Sequence, residues 1–146
     1  MESIPQHLMN FEQACRQAGL KMTHQRLEIF RELLLAHNHP TAESLHRRLR
    51  NRLPTISLDT VYRTLSTLAV YGLVNRVGTP ESLARFEAAQ THHHHLICRR
   101  CGQIVDFQWP LIDDLALPNE IKSWGQIDRK NVIVSGLCQN CLKLPG

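Results

Sequence analysis

Residues 92–102 read His-His-His-His-Leu-Ile-Cys-Arg-Arg-Cys-Gly, and a second Cys-x-x-Cys follows at Cys138 and Cys141. Two thiolates three positions apart in a tight turn can both reach one Zn2+ at about 2.3 Å. Gly102, directly after Cys101, suits the sharp turn of such a knuckle. The pairs lie 36 residues apart, more than the roughly 15–20 of a zinc ribbon, but the spacing within each pair carries the chemistry. Four thiolates close a tetrahedron and leave no open position. Cys98, Cys101, Cys138 and Cys141 are therefore expected to form a structural zinc site, with a redox disulfide pair as the competing reading. The remaining cysteine, Cys15, falls on the apolar face of a helical segment and reads as a small core residue.

The histidine run joins directly to the first knuckle. Read as a strand, it sends alternate side chains to the same face, so His93 and His95 form one pair and His92 and His94 the other. Imidazoles two apart on a strand can share one metal, with further ligands supplied from elsewhere in the fold.

The chain is short for so much metal chemistry. Its 146 residues allow one ordinary domain or two small ones, and its 42% apolar and 21% charged composition is that of a globular protein. No apolar run approaches the roughly 18–20 residues that span a bilayer. The opening Met-Glu-Ser-Ile-Pro-Gln-His lacks the basic and apolar segments of a signal peptide, so the expectation is a cytoplasmic protein with no membrane partner. The formal charge of +4 is unevenly spread, +3 over residues 1–91 and +1 over 92–146. Basic character thus lies in the N-terminal half, which permits nucleic-acid binding.

That half reads as helices and a hairpin. Segment 7–18 places Leu8, Phe11, Ala14, Cys15 and Ala18 at helical spacing, and Gly19 can end it. Thr23, Thr41 and Ser57 are N-cap candidates for three further helices. The last and clearest carries Leu58, Val61, Tyr62, Leu65, Leu68, Ala69 and Gly72 at the i, i+3, i+4 positions. Arg47, Arg48, Arg50 and Arg52 turn largely outward. Residues 73–77 and 83–87 flank a Gly/Pro turn and predict a hairpin. Helices followed by a hairpin form a winged helix-turn-helix, with helix 58–71 in the major groove. A plain helical bundle with a solvated arginine face is the competing reading. On helix 58–71, Thr60, Arg63 and Thr64 point away from the apolar stripe, and Tyr62 sits at its edge.

The chain resembles the ferric uptake regulator (Fur) superfamily of bacterial metal-dependent repressors. The resemblance runs through Gly19-Leu-Lys-Met-Thr-His-Gln-Arg26, His39-Pro-Thr-Ala42, Ser57-Leu-Asp-Thr-Val-Tyr-Arg-Thr-Leu65, Tyr71-Gly-Leu-Val74, Arg85-Phe-Glu87, residues 92–102, Ile104-Val-Asp-Phe107 and Cys138-x-x-Cys141. It implies an α+β architecture: a winged-helix DNA-binding domain over 1–84, a hinge over 85–91, and a small α/β dimerisation domain over 92–146 holding the four-cysteine zinc. It also implies a regulatory metal, Fe2+, Mn2+ or Zn2+, with ligands mapping to His39, Glu87, His93, His95 and Asp106. Such an ion would lock a homodimer for double-stranded operator DNA. The implied DNA contacts are Lys21 at the minor groove and Tyr62 and Arg63 on the recognition helix; Thr60, by its outward place on that helix, and Arg26 are expected to join them.

The branch signals diverge. Asp106 resembles the peroxide-sensing branch, where bound Fe2+ reacts with peroxide and a ligand histidine is oxidised; the equivalents are His39 and His93. Glu87 resembles the iron sensors instead. A zinc uptake regulator is a third reading. A further family site uses His92, His94 and a histidine before the last strand, but Arg129-Lys130-Asn131 stands there, so that site is expected to be absent or weak. From another class, a zinc-dependent hydrolase could hold an open zinc on histidines and carboxylates, although no His-Glu-x-x-His occurs.

Overall fold

The computed structural model describes residues 3–36, 38–78, 84–88 and 92–145. They fall into two compact units, Met1–Gln90 and Thr91–Gly146.

The first unit has four helices, α1 (Ile4–Gln17), α2 (His24–Leu35), α3 (Ala42–Leu49) and α4 (Leu58–Val70), followed by strands β1 (Val74–Val77) and β2 (Arg85–Ala88). Each helix start is chemically marked. The side chains of Thr23, Thr41 and Ser57 accept the backbone N–H of Arg26, Ser44 and Thr60 at 3.1, 3.2 and 3.0 Å, satisfying donors that the first turn leaves without a partner. The first helix starts earlier than its apolar spacing predicts, because Ser3 caps it and Pro5 fits its opening turn. Gly72, expected on the apolar stripe of α4, lies beyond the helix end with φ of 74°. There the Leu73 N–H closes back on the Leu68 carbonyl at 2.9 Å, the left-handed stop for which glycine is best suited.

The core is one cluster in which Phe11, Cys15, Phe30, Leu45, Leu49, Val61, Leu65 and Leu68 are buried, as the periodicity predicts for Cys15. Phe11 and Phe30 stack at 3.8 Å between centroids. The hairpin closes over it, antiparallel, with Asn75 opposite Glu87 and Arg76 opposite Phe86. Phe86 is fully buried. Residues 85–88, expected to begin the hinge, are instead bound into the wing on both sides. One side is β1, and on the other the Phe86 N–H donates to the Pro40 carbonyl at 2.9 Å and Thr41 bridges to Arg85. The turn residues 79–82, strand position 83 and hinge positions 89–91 lie outside the described residues.

The second unit is a three-stranded sheet ordered β4-β3-β5, made of β3 (His94–Cys98), β4 (Ile104–Phe107) and β5 (Ile133–Gly136). The β3–β4 pair is antiparallel and the β3–β5 pair is parallel. Short helices α5 (Pro110–Asp114) and α6 (Gln139–Leu142) and a 3-10 turn over Asn119–Trp124 complete it. Its interior is sparse: Ile97, Cys98, Cys141, His94 and His95 are the described buried side chains. So small a unit gains little from apolar burial. Leu96 stands opposite both Val105 and Val134, and all three are exposed, forming an apolar row across the sheet. The whole is α+β, helices and a wing followed by a small mixed unit. Among the described residues no helix is long and apolar enough to cross a membrane.

The cap that starts α4 sets where that helix presents its outer face. Ser57→Ala is expected to lower stability by about 1 kcal/mol in urea unfolding, with Ser57→Asp close to wild type.

Candidate metal centres

The four-sulfur site is assembled by β-pairing. Cys98 ends β3, and parallel pairing with β5 sets it opposite Gly136, two residues before Cys138. The Cys98 Sγ then accepts the backbone N–H groups of Cys138 at 3.4 Å and of Cys101 at 3.5 Å. Gly102, with φ of 77°, makes the sharp turn of the first knuckle, donating to the Cys98 carbonyl at 3.0 Å. Cys138 caps α6, which carries Cys141 inward, and Arg100 holds the Cys141 carbonyl at 3.0 Å. All four Sγ atoms lie within 4.8 Å of one another, and Cys101 and Cys138 are 3.8 Å apart. Sulfurs at about 2.3 Å from a tetrahedral zinc stand about 3.8 Å apart, so the cluster fits that ion. All five cysteines are unbridged.

The electrostatics of the cluster also point to a cation. Backbone N–H donors, that of Cys101 first and Cys138 next, pull the Cys98 thiol down to about 5. Burial, reinforced by hydrogen bonds from the neighbouring thiols, pushes Cys141 up to about 12. A divalent cation held by the four sulfurs would favour their ionised forms.

The histidine run divides by parity, as a strand requires. His93 and His95 face Asp106, with Nε2 to Oδ1 distances of 3.6 and 3.5 Å, and His95 is the direct cross-strand partner of Asp106. His92 and His94 turn the other way and share the Oδ1 of Asp113 at 3.3 and 2.7 Å. His94 is fully buried, and its protonation pattern follows from its neighbours. The Val132 N–H donates to Nδ1 at 3.0 Å, so the ring proton is on Nε2 and points at Asp113. Asp113 is a site residue that sequence reasoning missed. It lies in the first turn of a five-residue helix 19 positions beyond His94, with no local spacing to mark it.

Two of the expected regulatory ligands belong to the first unit. His39 Nε2 lies 2.8 Å from Glu87 Oε2, both side chains nearly buried. The other Glu87 oxygen accepts from Asn75 at 3.3 Å, and Arg85 donates to the His39 carbonyl at 3.0 Å. Asn75 and Arg85 thereby join the site, again unmarked by local sequence.

The expected DNA contacts are distributed over the same unit. Tyr62 and Arg63 are exposed on α4 and Thr60 is half-buried there. Arg63 pairs with Asp59 one turn back at 3.0 Å. Arg26 donates to the Lys21 carbonyl, so it shapes the turn that carries Lys21.

The sequence profile of the ferric uptake regulator family matches residues 17–128. The peroxide-responsive repressor PerR of Staphylococcus aureus is 33% identical over 141 residues, covering 97% of this chain and 95% of that protein. Among solved structures, the Helicobacter pylori ferric uptake regulator Fur, described as having three functional metal-binding sites, aligns with a TM-score of 0.75 at 25% identity over 99% of this chain and 97% of that one. The Vibrio cholerae ferric uptake regulator aligns with a TM-score of 0.63 at 32% identity, over 87% and 98% of the two chains.

Removing the Asp113 acceptor leaves a buried N–H of His94 without its partner. Asp113→Ala is expected to cost about 1–3 kcal/mol in thermal unfolding, and Asp113→Asn, which keeps an acceptor oxygen, clearly less.

Proposed function

The chain belongs to the ferric uptake regulator family of metal-dependent transcriptional regulators, and we propose that it represses as a homodimer on operator DNA under the control of one regulatory ion. The proposed ligands are His39 and Glu87 from the first unit and His93, His95 and Asp106 from the second. What carries this reading is the pairing inside each unit, a histidine against a carboxylate at 2.8 Å in one and two histidines against one carboxylate at 3.5–3.6 Å in the other. Three imidazoles and two carboxylates form a mixed nitrogen and oxygen set that suits Fe2+, Mn2+ or Zn2+.

A bound ion would supply positive charge that favours the arrangement in which both donor groups converge, and that difference in affinity is all the regulation requires. Glu87 receives both His39 and Asn75, so its carboxylate is already oriented. Asp106 stands across the strand from His95 and keeps the two imidazoles on one side. Cys98, Cys101, Cys138 and Cys141 are proposed to hold a structural Zn2+ that replaces a core the second unit is too small to build. The exposed row of Leu96, Val105 and Val134 is the proposed seat of the second copy. Lys21, Thr60, Tyr62 and Arg63 are the proposed DNA contacts, with Arg26 behind Lys21. Members of this family are transcriptional regulators, which favours a regulator over the hydrolase reading.

Within the family, a peroxide response is favoured by the PerR relatives and by Asp106, while Glu87 and the Fur structures favour an iron response. His39 and His93 are the proposed oxidation targets in the first case.

With Mn2+ the protein is expected to retard a duplex selected from a random pool, and chelation should abolish the shift. His95→Ala should reduce the metal-stimulated gain in affinity by roughly tenfold or more while the dimer persists in size-exclusion chromatography. Retained metal dependence in that variant would refute the ligand assignment. Anaerobic loading with Fe2+ followed by peroxide, read by intact mass, is expected to add one oxygen atom at His39 or His93 if the protein responds to peroxide. An unchanged mass assigns it to metal sensing.

A further inference from the structure

We propose that Arg76, on the wing strand β1, is a DNA-phosphate contact and that Tyr62 on α4 is the residue that positions it. The inference rests on the reading of the first unit as DNA-binding.

The geometry is a two-point hold. Arg76 Nη2 donates to the Tyr62 hydroxyl at 3.1 Å, and its guanidinium carbon lies 5.8 Å from the centre of the Tyr62 ring. That distance is within the range for attraction between a cation and an aromatic face. Tyr62 is itself braced, meeting the fully buried Phe86 edge-on with centroids 6.4 Å apart at 86°. Phe86 is also the cross-strand partner of Arg76. Three residues on three elements therefore determine where one exposed guanidinium sits.

Charge separates Arg76 from the arginines of this unit that meet a carboxylate. Arg63 is neutralised by Asp59, Arg52 by Glu28 and Arg16 by Glu12. Arg26 and Arg85 spend donors on backbone carbonyls. The partner of Arg76 is a neutral hydroxyl, which leaves its positive charge intact and uses one of the five N–H donors of the fork. Glu43 and Asp59 line a hollow on the flank of Tyr62, and a cation held at the ring offsets part of their repulsion of a phosphate. An arginine pre-placed by a ring loses less freedom on meeting a phosphate than a loose side chain does. Tyr62 accordingly acts twice, by its ring on the duplex and by its hydroxyl on Arg76.

The test measures affinity of the full-length, Mn2+-loaded protein for the selected duplex across a series of KCl concentrations. Each lost phosphate contact lowers the slope of log affinity against log salt by about 0.9, so Arg76→Ala should reduce it by about two for a dimer, and Arg76→Lys should restore most of it. Tyr62→Phe keeps the ring and removes the hydroxyl. It should weaken binding several-fold in the wild-type background and have little further effect in Arg76→Ala, because the two residues act together. An unchanged salt slope in Arg76→Ala overturns the contact. An equal Tyr62→Phe penalty in both backgrounds overturns the positioning role. A wild-type protein that selects no duplex at all overturns the DNA-binding reading, and this inference with it.

Discussion

The two-residue period of β3 is the constraint on which the second unit depends. Alternation sends His95 to Asp106 and His94 to Asp113, on opposite faces of the strand. A slip of one residue against β4 would exchange all of these at once. Register is held at both ends: antiparallel pairing sets His95 against Asp106, and parallel pairing sets Cys98 against Gly136. The second pairing also explains how cysteines 36 residues apart in sequence meet. A crossover that returns β5 beside β3 delivers the Cys138 N–H to the Cys98 sulfur.

An equivalent economy holds in the first unit, where β2 carries three jobs on four residues. Arg85 and Glu87 lie on one side of the strand, steadying the His39 carbonyl and facing its imidazole. Phe86, between them, points into the core and supports Tyr62. Adjacent residues of a hydrogen-bonded strand cannot move independently. A displacement of Glu87 is therefore shared by Phe86 and by the ring that braces the outer face of α4. Both edges of β2 are bonded, to β1 and to the Pro40–Thr41 segment.

What was legible in the sequence was what local chemistry controls. Thr23, Thr41 and Ser57 declared three helix starts because an N-cap acts on a residue three positions away. Parity sorted the four histidines because alternation is built into every strand. Gly102 marked its turn for the same local reason. Asp113, Asn75 and Arg85 were invisible because each acts on a residue 12 to 46 positions away. Gly72 was misplaced because a glycine just past a helix end falls on the helical period by coincidence, and only its backbone angle tells a stop from a packing position. That residues 85–88 form a wing strand was not legible locally, because part of their bonding comes from the Pro40–Thr41 segment, far off in sequence. The regulatory ligand set came from family resemblance and not from spacing.

Two donor chemistries in one short chain would let the two proposed ions be kept apart by ligand type as well as by affinity. Four thiolates form a soft, closed set, and the Cys98 sulfur is already stabilised as an anion by two backbone N–H groups. Ligands of that kind exchange slowly and favour Zn2+ over harder ions. The imidazole and carboxylate groups offer only nitrogen and oxygen, which bind first-row divalent ions less selectively and release them as supply falls. A regulator needs that contrast, because an ion that reports on its own concentration must be free to leave, whereas one that completes a core must stay.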